Sequence, residues 1–104
     1  MIFGIDTDGN MEVIDGGDGE PTLKQLYAWI DCELIEVPGS GFSVNGEEIH
    51  FIVDEEGKLK GKPINVVATS LYNNVLSQDP RGLQSGIDTL NGTVVVLTGK
   101  HLLK

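Results

Sequence analysis

Short apolar segments separated by turn dipeptides run along this chain, and they predict strands more often than helices. Ile2-Phe3-Gly4-Ile5 and Met11-Glu12-Val13-Ile14 flank Asp6-Thr7-Asp8-Gly9-Asn10, a hairpin around the favoured Asp8-Gly9 turn. A glycine-rich turn cluster, Asp15 to Gly19, comes next. Thr22-Leu23-Lys24-Gln25 reads as a capping box, in which the Thr22 oxygen takes a free amide and Gln25 reaches back to the cap. It predicts a helix over about Leu23–Ile30, with Leu23, Leu26, Tyr27 and Ile30 on its buried face at i, i+3, i+4 and i+7. Trp29 falls off that stripe, so it either packs against a neighbouring loop or marks a binding surface. Glu33–Val37 reads as a strand closed by Pro38-Gly39. Phe42–Val44, Asn45-Gly46 and Glu48–Val53 read as a second hairpin. Ile49, Phe51 and Val53 share one face of that last strand, which turns His50 away from the core.

Asp54-Glu55-Glu56-Gly57 stops the strand as an exposed turn, with Gly57 expected at positive φ. Lys58, Lys60 and Lys62 then alternate with Leu59, Gly61 and Pro63, and an extended arm would carry all three ammonium groups on one side. Asn65 is a good N-cap for a second helix whose stripe is Ile64, Ala68, Leu71 and Val75. A polar loop over residues 77–86 carries the only arginine, Arg81. Leu90-Asn91-Gly92 turns into Thr93–Leu97, a continuous apolar run suited to a strand covered on both faces. The order β-β-α-β-β-β-α-β predicts an α+β fold, a mainly antiparallel sheet of about five to six strands with two short helices packed on one face. The other face is then partly exposed, which leaves room for a homodimer through it or through an edge strand.

Three pieces of the chain, Leu23 to Val37 (LKQLYAWIDCELIEV), Asp54 to Asn65 (DEEGKLKGKPIN) and Gly92 to Val96 (GTVVV), together resemble a small phage- and mobile-element-associated family. That family is catalogued as domain of unknown function three-eight-four-six. The middle motif is the specific one. Ile30-Asp31-Cys32 stands where the family more often carries a glycine pair, and Asn45-Gly46 opens an extra hairpin. The resemblance implies a phage or plasmid context and no mechanism.

Length bounds the fold to one compact domain over residues 1–104. No apolar run approaches the ~20 residues of a membrane span, the N-terminus lacks a signal-peptide pattern, and the lone Cys32 excludes an internal disulfide, so the expected location is the cytoplasm. The net charge of −9 is unevenly spread. Residues 1–56 hold 14 carboxylates against the single base Lys24, a balance of −13, whereas residues 57–104 balance at +4. Such asymmetry argues against direct nucleic-acid binding by the first half and permits a basic protein partner or a nucleic-acid disguise, beside the plainer reading of an acidic solubilising surface.

Several chemistries fail on spacing. A calcium loop started at Asp6 would place Met11 where a glycine is needed and Gly17 where a bidentate glutamate is needed. His50 and His101 are too few and too far apart in sequence for a zinc set. Thr98-Gly99-Lys100 lacks the glycine spacing of a phosphate loop. No metal or other cofactor is expected. Asp54, Glu55 and Glu56 are adjacent solvated carboxylates without the burial that tunes an acid or base toward neutrality, so a non-catalytic protein is expected.

Two binding readings remain. In the first, an acidic face of Asp54, Glu55, Glu56, Glu33 and Glu36 with Trp29 engages a host protein of basic surface and inhibits or modulates it. In the second, Lys58, Lys60, Lys62 and Arg81 capture an anionic metabolite or nucleotide, with Trp29, Tyr27 or Tyr72 as a stacking surface.

Overall fold

The first hairpin forms where the turn signal places it: β1 (Ile2–Ile5) and β2 (Met11–Val13) pair antiparallel with Phe3 opposite Val13 and Ile5 opposite Met11. In this computed structural model, which describes residues 1–81 and 89–103, Asp6 organises the turn. Its Oδ1 accepts the amides of Asp8 and Asn10 at 2.9 Å each. The capping box at Thr22 and Gln25 forms as read, and α1 runs over Leu23–Ile30. Its buried residues are Leu26 and Ile30, while Leu23 is exposed.

β3 keeps only Ile35–Glu36 of the expected Glu33–Val37 strand. β4 (Phe42–Val44) and β5 (Glu47–Asp54) pair around Asn45-Gly46, both at positive φ as the hairpin signal requires. Asn65 caps α2 (Val66–Gln78), and β6 covers Val94–Thr98. The buried stripe of α2 is Ala68, Tyr72, Val75 and Leu76 rather than the one expected from Ile64. Ile64 precedes the helix, is exposed, and bridges to Asn91. The loop expected over residues 77–86 lies in part outside the described residues.

The six strands form an antiparallel sheet in the order β2-β1-β6-β5-β3, with β4 beside β3 on the outer edge of β5. The α+β class therefore holds, but the helices do not share a face. Ile5, Phe51, Val53, Val94 and Val96 pack with Ala68, Tyr72, Val75 and Leu76 of α2. Ile2, Ile52, Val95 and Leu97 pack with Leu26 and Ile30 of α1 on the other side. Because β5 and β6 are apolar at consecutive positions, each face needs its own cover. The same fact corrects His50, which turns away from Phe51 yet is buried, its Nδ1 accepting the Leu103 amide at 3.1 Å. Within the α2 layer, Phe42, Phe51 and Tyr72 meet edge to face with centroids 5.4 to 6.1 Å apart.

Candidate functional site

Asp54 closes β5 and organises the turn beyond it. Its side chain is fully buried. Oδ1 accepts the Glu56 amide at 2.8 Å, and Oδ2 takes Lys60 Nζ at 3.1 Å and Lys62 Nζ at 2.9 Å. The segment after it is coiled rather than extended. Lys60 N–H donates to Glu56 O, Gly61 N–H to Lys58 O, and Lys62 N–H to Gly57 O. The coil returns Lys60 and Lys62 to Asp54, while Lys58 lines a cleft with Glu36 and Glu55, so the three ammonium groups do not all converge on Asp54. Positive φ falls at Gly61 (72°), not at Gly57. Gly57 is needed for room instead, since a Cβ there would lie 3.1 Å from Asn91 O and 3.3 Å from Asp54 O.

Burial opposes ionisation of Asp54 most strongly of the single influences. The hydrogen bonds from Lys62, the Glu56 amide and Lys60 together outweigh it and hold the carboxyl below its usual range. Asp54 is thus a buried anchor that is ionised at neutral pH. It leaves the acidic binding face on which the sequence placed it, and it cannot act as an acid near neutrality. Lys62 also donates to Asp31 O at 2.7 Å and Ile30 O at 3.3 Å, a cation on the carbonyl end of α1. Cys32, next in the chain, is half-buried, and burial followed by the Asp54 charge pushes its thiol up.

The motif ends on Asn65, which is fully buried. Its Oδ1 accepts the Ala68 amide at 3.0 Å, while Nδ2 donates to Ile5 O at 2.8 Å and Gly92 O at 2.9 Å. One side chain thereby joins the start of α2 to the end of β1 and the entry of β6. Pro63 O accepts the Gly92 amide, and Asn91 Nδ2 donates to Lys62 O. The Asp54–Asn65 stretch, the most specific motif of the sequence, therefore holds the fold together at its own centre.

Four glutamates lie beside it. Glu55 N–H donates to Leu34 O, and β3 pairs with the end of β5, so Glu33, Glu36, Glu55 and Glu56 lie along one edge. Glu33, Glu36 and Glu55 are exposed and Glu56 is half-buried. Lys60 is held above its usual pKa first by its hydrogen bond to Asp54, with smaller pulls from Glu56 and Glu33. Glu36, Glu55 and Lys58 line a cleft of about 260 Å³. Trp29 shares none of these contacts. It packs in the α1 layer, its ring beside Gly16, as the packing alternative anticipated.

Arg81 is likewise apart from the lysines. Its Nε lies 2.8 Å from Asp79 Oδ1, its Nη2 donates to Gly41 O at 2.8 Å, and its guanidinium sits 5.7 Å from the Phe42 ring centroid. Asp79 is buried and also accepts the Ser43 amide at 3.0 Å. Arg81 first, then the amides of Ser43 and Arg81, hold its carboxyl far below the usual range. Sequence reading missed this clamp between α2 and β4. Its only local signal is the two-residue spacing of Asp79 and Arg81. Among the described residues no group of three or more His, Cys, Asp or Glu is arranged to hold a metal ion, and no helix is long and apolar enough to cross a membrane.

Residues 2–101 match the family described as a domain of unknown function (DUF3846). No curated protein and no solved structure matches the chain.

Proposed function

We propose that this protein, which belongs to the DUF3846 family, is a non-catalytic binding protein whose acidic edge engages a partner protein of basic surface. The observation that carries this reading is where the cations go. Lys60 and Lys62 sit on buried Asp54, and Arg81 sits on buried Asp79. Three of the seven basic residues are thus tied to buried carboxylates. Asp8, Glu12, Asp15, Asp18, Glu33, Glu36, Glu47, Glu48 and Glu55 remain exposed. With those cations held at Asp54 and Asp79, the field of the chain, net −9, is set by the exposed carboxylates, and such a field steers basic partners.

In a cell carrying a phage or mobile element, the partner in this reading is a host protein whose basic surface serves nucleic acid, and occupying that surface modulates or inhibits it. Exposed Leu34 and Leu59 lie within the same stretch of chain as the edge carboxylates and supply apolar contact area. The anion-capture reading draws less support, because Lys60, Lys62 and Arg81 each already hold an internal carboxylate with which an arriving anion must compete.

The test is affinity capture from a bacterial host lysate at low and at moderate salt. One specific basic protein is expected at low salt, weakened by screening at moderate salt. Replacing Glu33, Glu36 and Glu55 together by Lys should abolish its capture, while Lys58→Ala should not. Capture that survives the triple replacement would sink the assignment of this edge.

A further inference from the structure

A second concavity, of about 240 Å³, opens over β1 on the α1 face of the sheet. Its floor is Gly4, opposite Glu12 in the hairpin register. A Cβ on Gly4 would lie 3.3 Å from Ile14 Cδ1, so a larger residue would narrow the cleft. Trp29, the chain's only tryptophan, comes from the last turn of α1 and lines one wall. Glu12 and Asp6 line another. Glu12 is exposed and makes no ion pair among the described residues. The backbone and side chain of Asn10 hold the Asp6 carboxyl below its usual pKa. Among the described residues no lysine or arginine lines the cleft.

An aromatic ring beside two carboxylates without a cationic partner among the described residues, over a floor without a side chain, has the chemistry of a receptor for a flat organic cation. A guanidinium can lie against the indole and present its donor fork to Glu12. The adjoining edge says how that cation arrives. Asp6 N–H donates to Asn10 O and Ile14 N–H to Ile2 O, so by antiparallel alternation Gly4 and Glu12 face each other through hydrogen bonds, and the amides and carbonyls of Met11 and Val13 point outward. Their side chains are exposed too, at 54% and 72%. An extended segment can therefore add to β2, with apolar residues over Met11 and Val13 on one side and a long cationic residue reaching over Glu12 on the other. A second copy of this chain fits poorly, since Asp8, Glu12, Asp15 and Asp18 would meet their own kind.

We infer that the Gly4–Glu12–Trp29 cleft accepts an arginine side chain presented by an extended segment of a partner protein lying along β2. This deepens the partner-binding reading by adding a second contact away from the β3 edge, and its test needs no partner in hand. Trp29 is the reporter. A blocked Val-Arg-Val peptide is titrated at constant ionic strength against Trp29 fluorescence, beside the same peptide with uncharged citrulline and beside arginine amide alone. A saturable change with the arginine peptide is expected, about tenfold weaker with citrulline and about fivefold weaker in Glu12→Gln, a substitution on an exposed edge that should leave circular dichroism unchanged. No saturable change, equal binding of citrulline, or indifference to Glu12→Gln would overturn the site. Arginine amide binding as tightly as the peptide would overturn the extended segment as its source. Either failure leaves the lysate capture through Glu33, Glu36 and Glu55 a separate question.

Discussion

Two polar side chains, Asp54 and Asn65, are buried because each collects enough partners to offset the loss of water. Asn65 is the stricter case: its oxygen faces one amide and its two amide hydrogens face two carbonyls. That is a donor and acceptor pattern only an asparagine satisfies here. Asn65→Ala removes the cap of α2 and leaves the carbonyls of Ile5 and Gly92 without a donor, so a loss of about 3 kcal/mol is expected in urea unfolding. Asn65→Asp keeps the cap but aims a carboxylate at the same two carbonyls, and it should be no better than Ala. A well-tolerated Asp would mean that the cap alone matters and that the bridge between β1 and β6 contributes little.

At the scale of elements, most of what the sequence showed was local chemistry. The capping box at Thr22 and the Asn45-Gly46 turn each need only residues within a few positions, and both appear as read. What could not be read depends on partners far along the chain. The face each helix takes is decided by β5 and β6 being apolar on both sides. The fate of Lys60 and Lys62 is decided by a carboxylate that packing buries. The glutamates of the acidic edge could be named from the charge pattern, but their meeting depends on β3 pairing with the end of β5, and Trp29 lies instead on a different cleft with α1. The turn after β5 was misread because a glycine signals freedom without saying which kind. A pair of substitutions separates the two kinds. Gly61→Ala should cost about 1 kcal/mol for its left-handed φ, and Gly61→Asn, which tolerates that region, should recover part of it. At Gly57 the obstacle is the Asn91 and Asp54 carbonyls, so Ala should cost about 2 kcal/mol and Asn should give no recovery. Recovery by Asn at Gly57 would restore the positive-φ explanation there.

The whole molecule carries its charge in two layers, buried carboxylates locked to cations within and solvent-exposed carboxylates without, and the two layers respond to acid differently. Asp54 and Asp79 both have lowered pKa values in the folded chain. In the unfolded chain an aspartate takes its proton near pH 4. Between those values the unfolded state binds more protons, so stability rises with pH through that window, is complete above about pH 5, and is lost as pH falls through the folded pKa values. Denaturation midpoints measured from pH 7 to pH 2.5 should therefore hold steady at first and then drop below about pH 4. Asp79→Asn isolates one contributor. It lacks the charge that clamps Arg81, so it should be less stable than the parent at pH 7 and lose less on acidification, the gap narrowing toward the acid end. Two parallel curves would mean that the Asp79 carboxylate is matched by an equal interaction in the unfolded chain. The Asp79–Arg81 clamp would then hold α2 to β4 through its geometry and packing alone. Added salt supplies the complementary reading at pH 7: it weakens repulsion among the exposed carboxylates more than it weakens the sheltered pairs, so it should raise the midpoint of the parent, and raise it less once Glu33, Glu36 and Glu55 are replaced by glutamine.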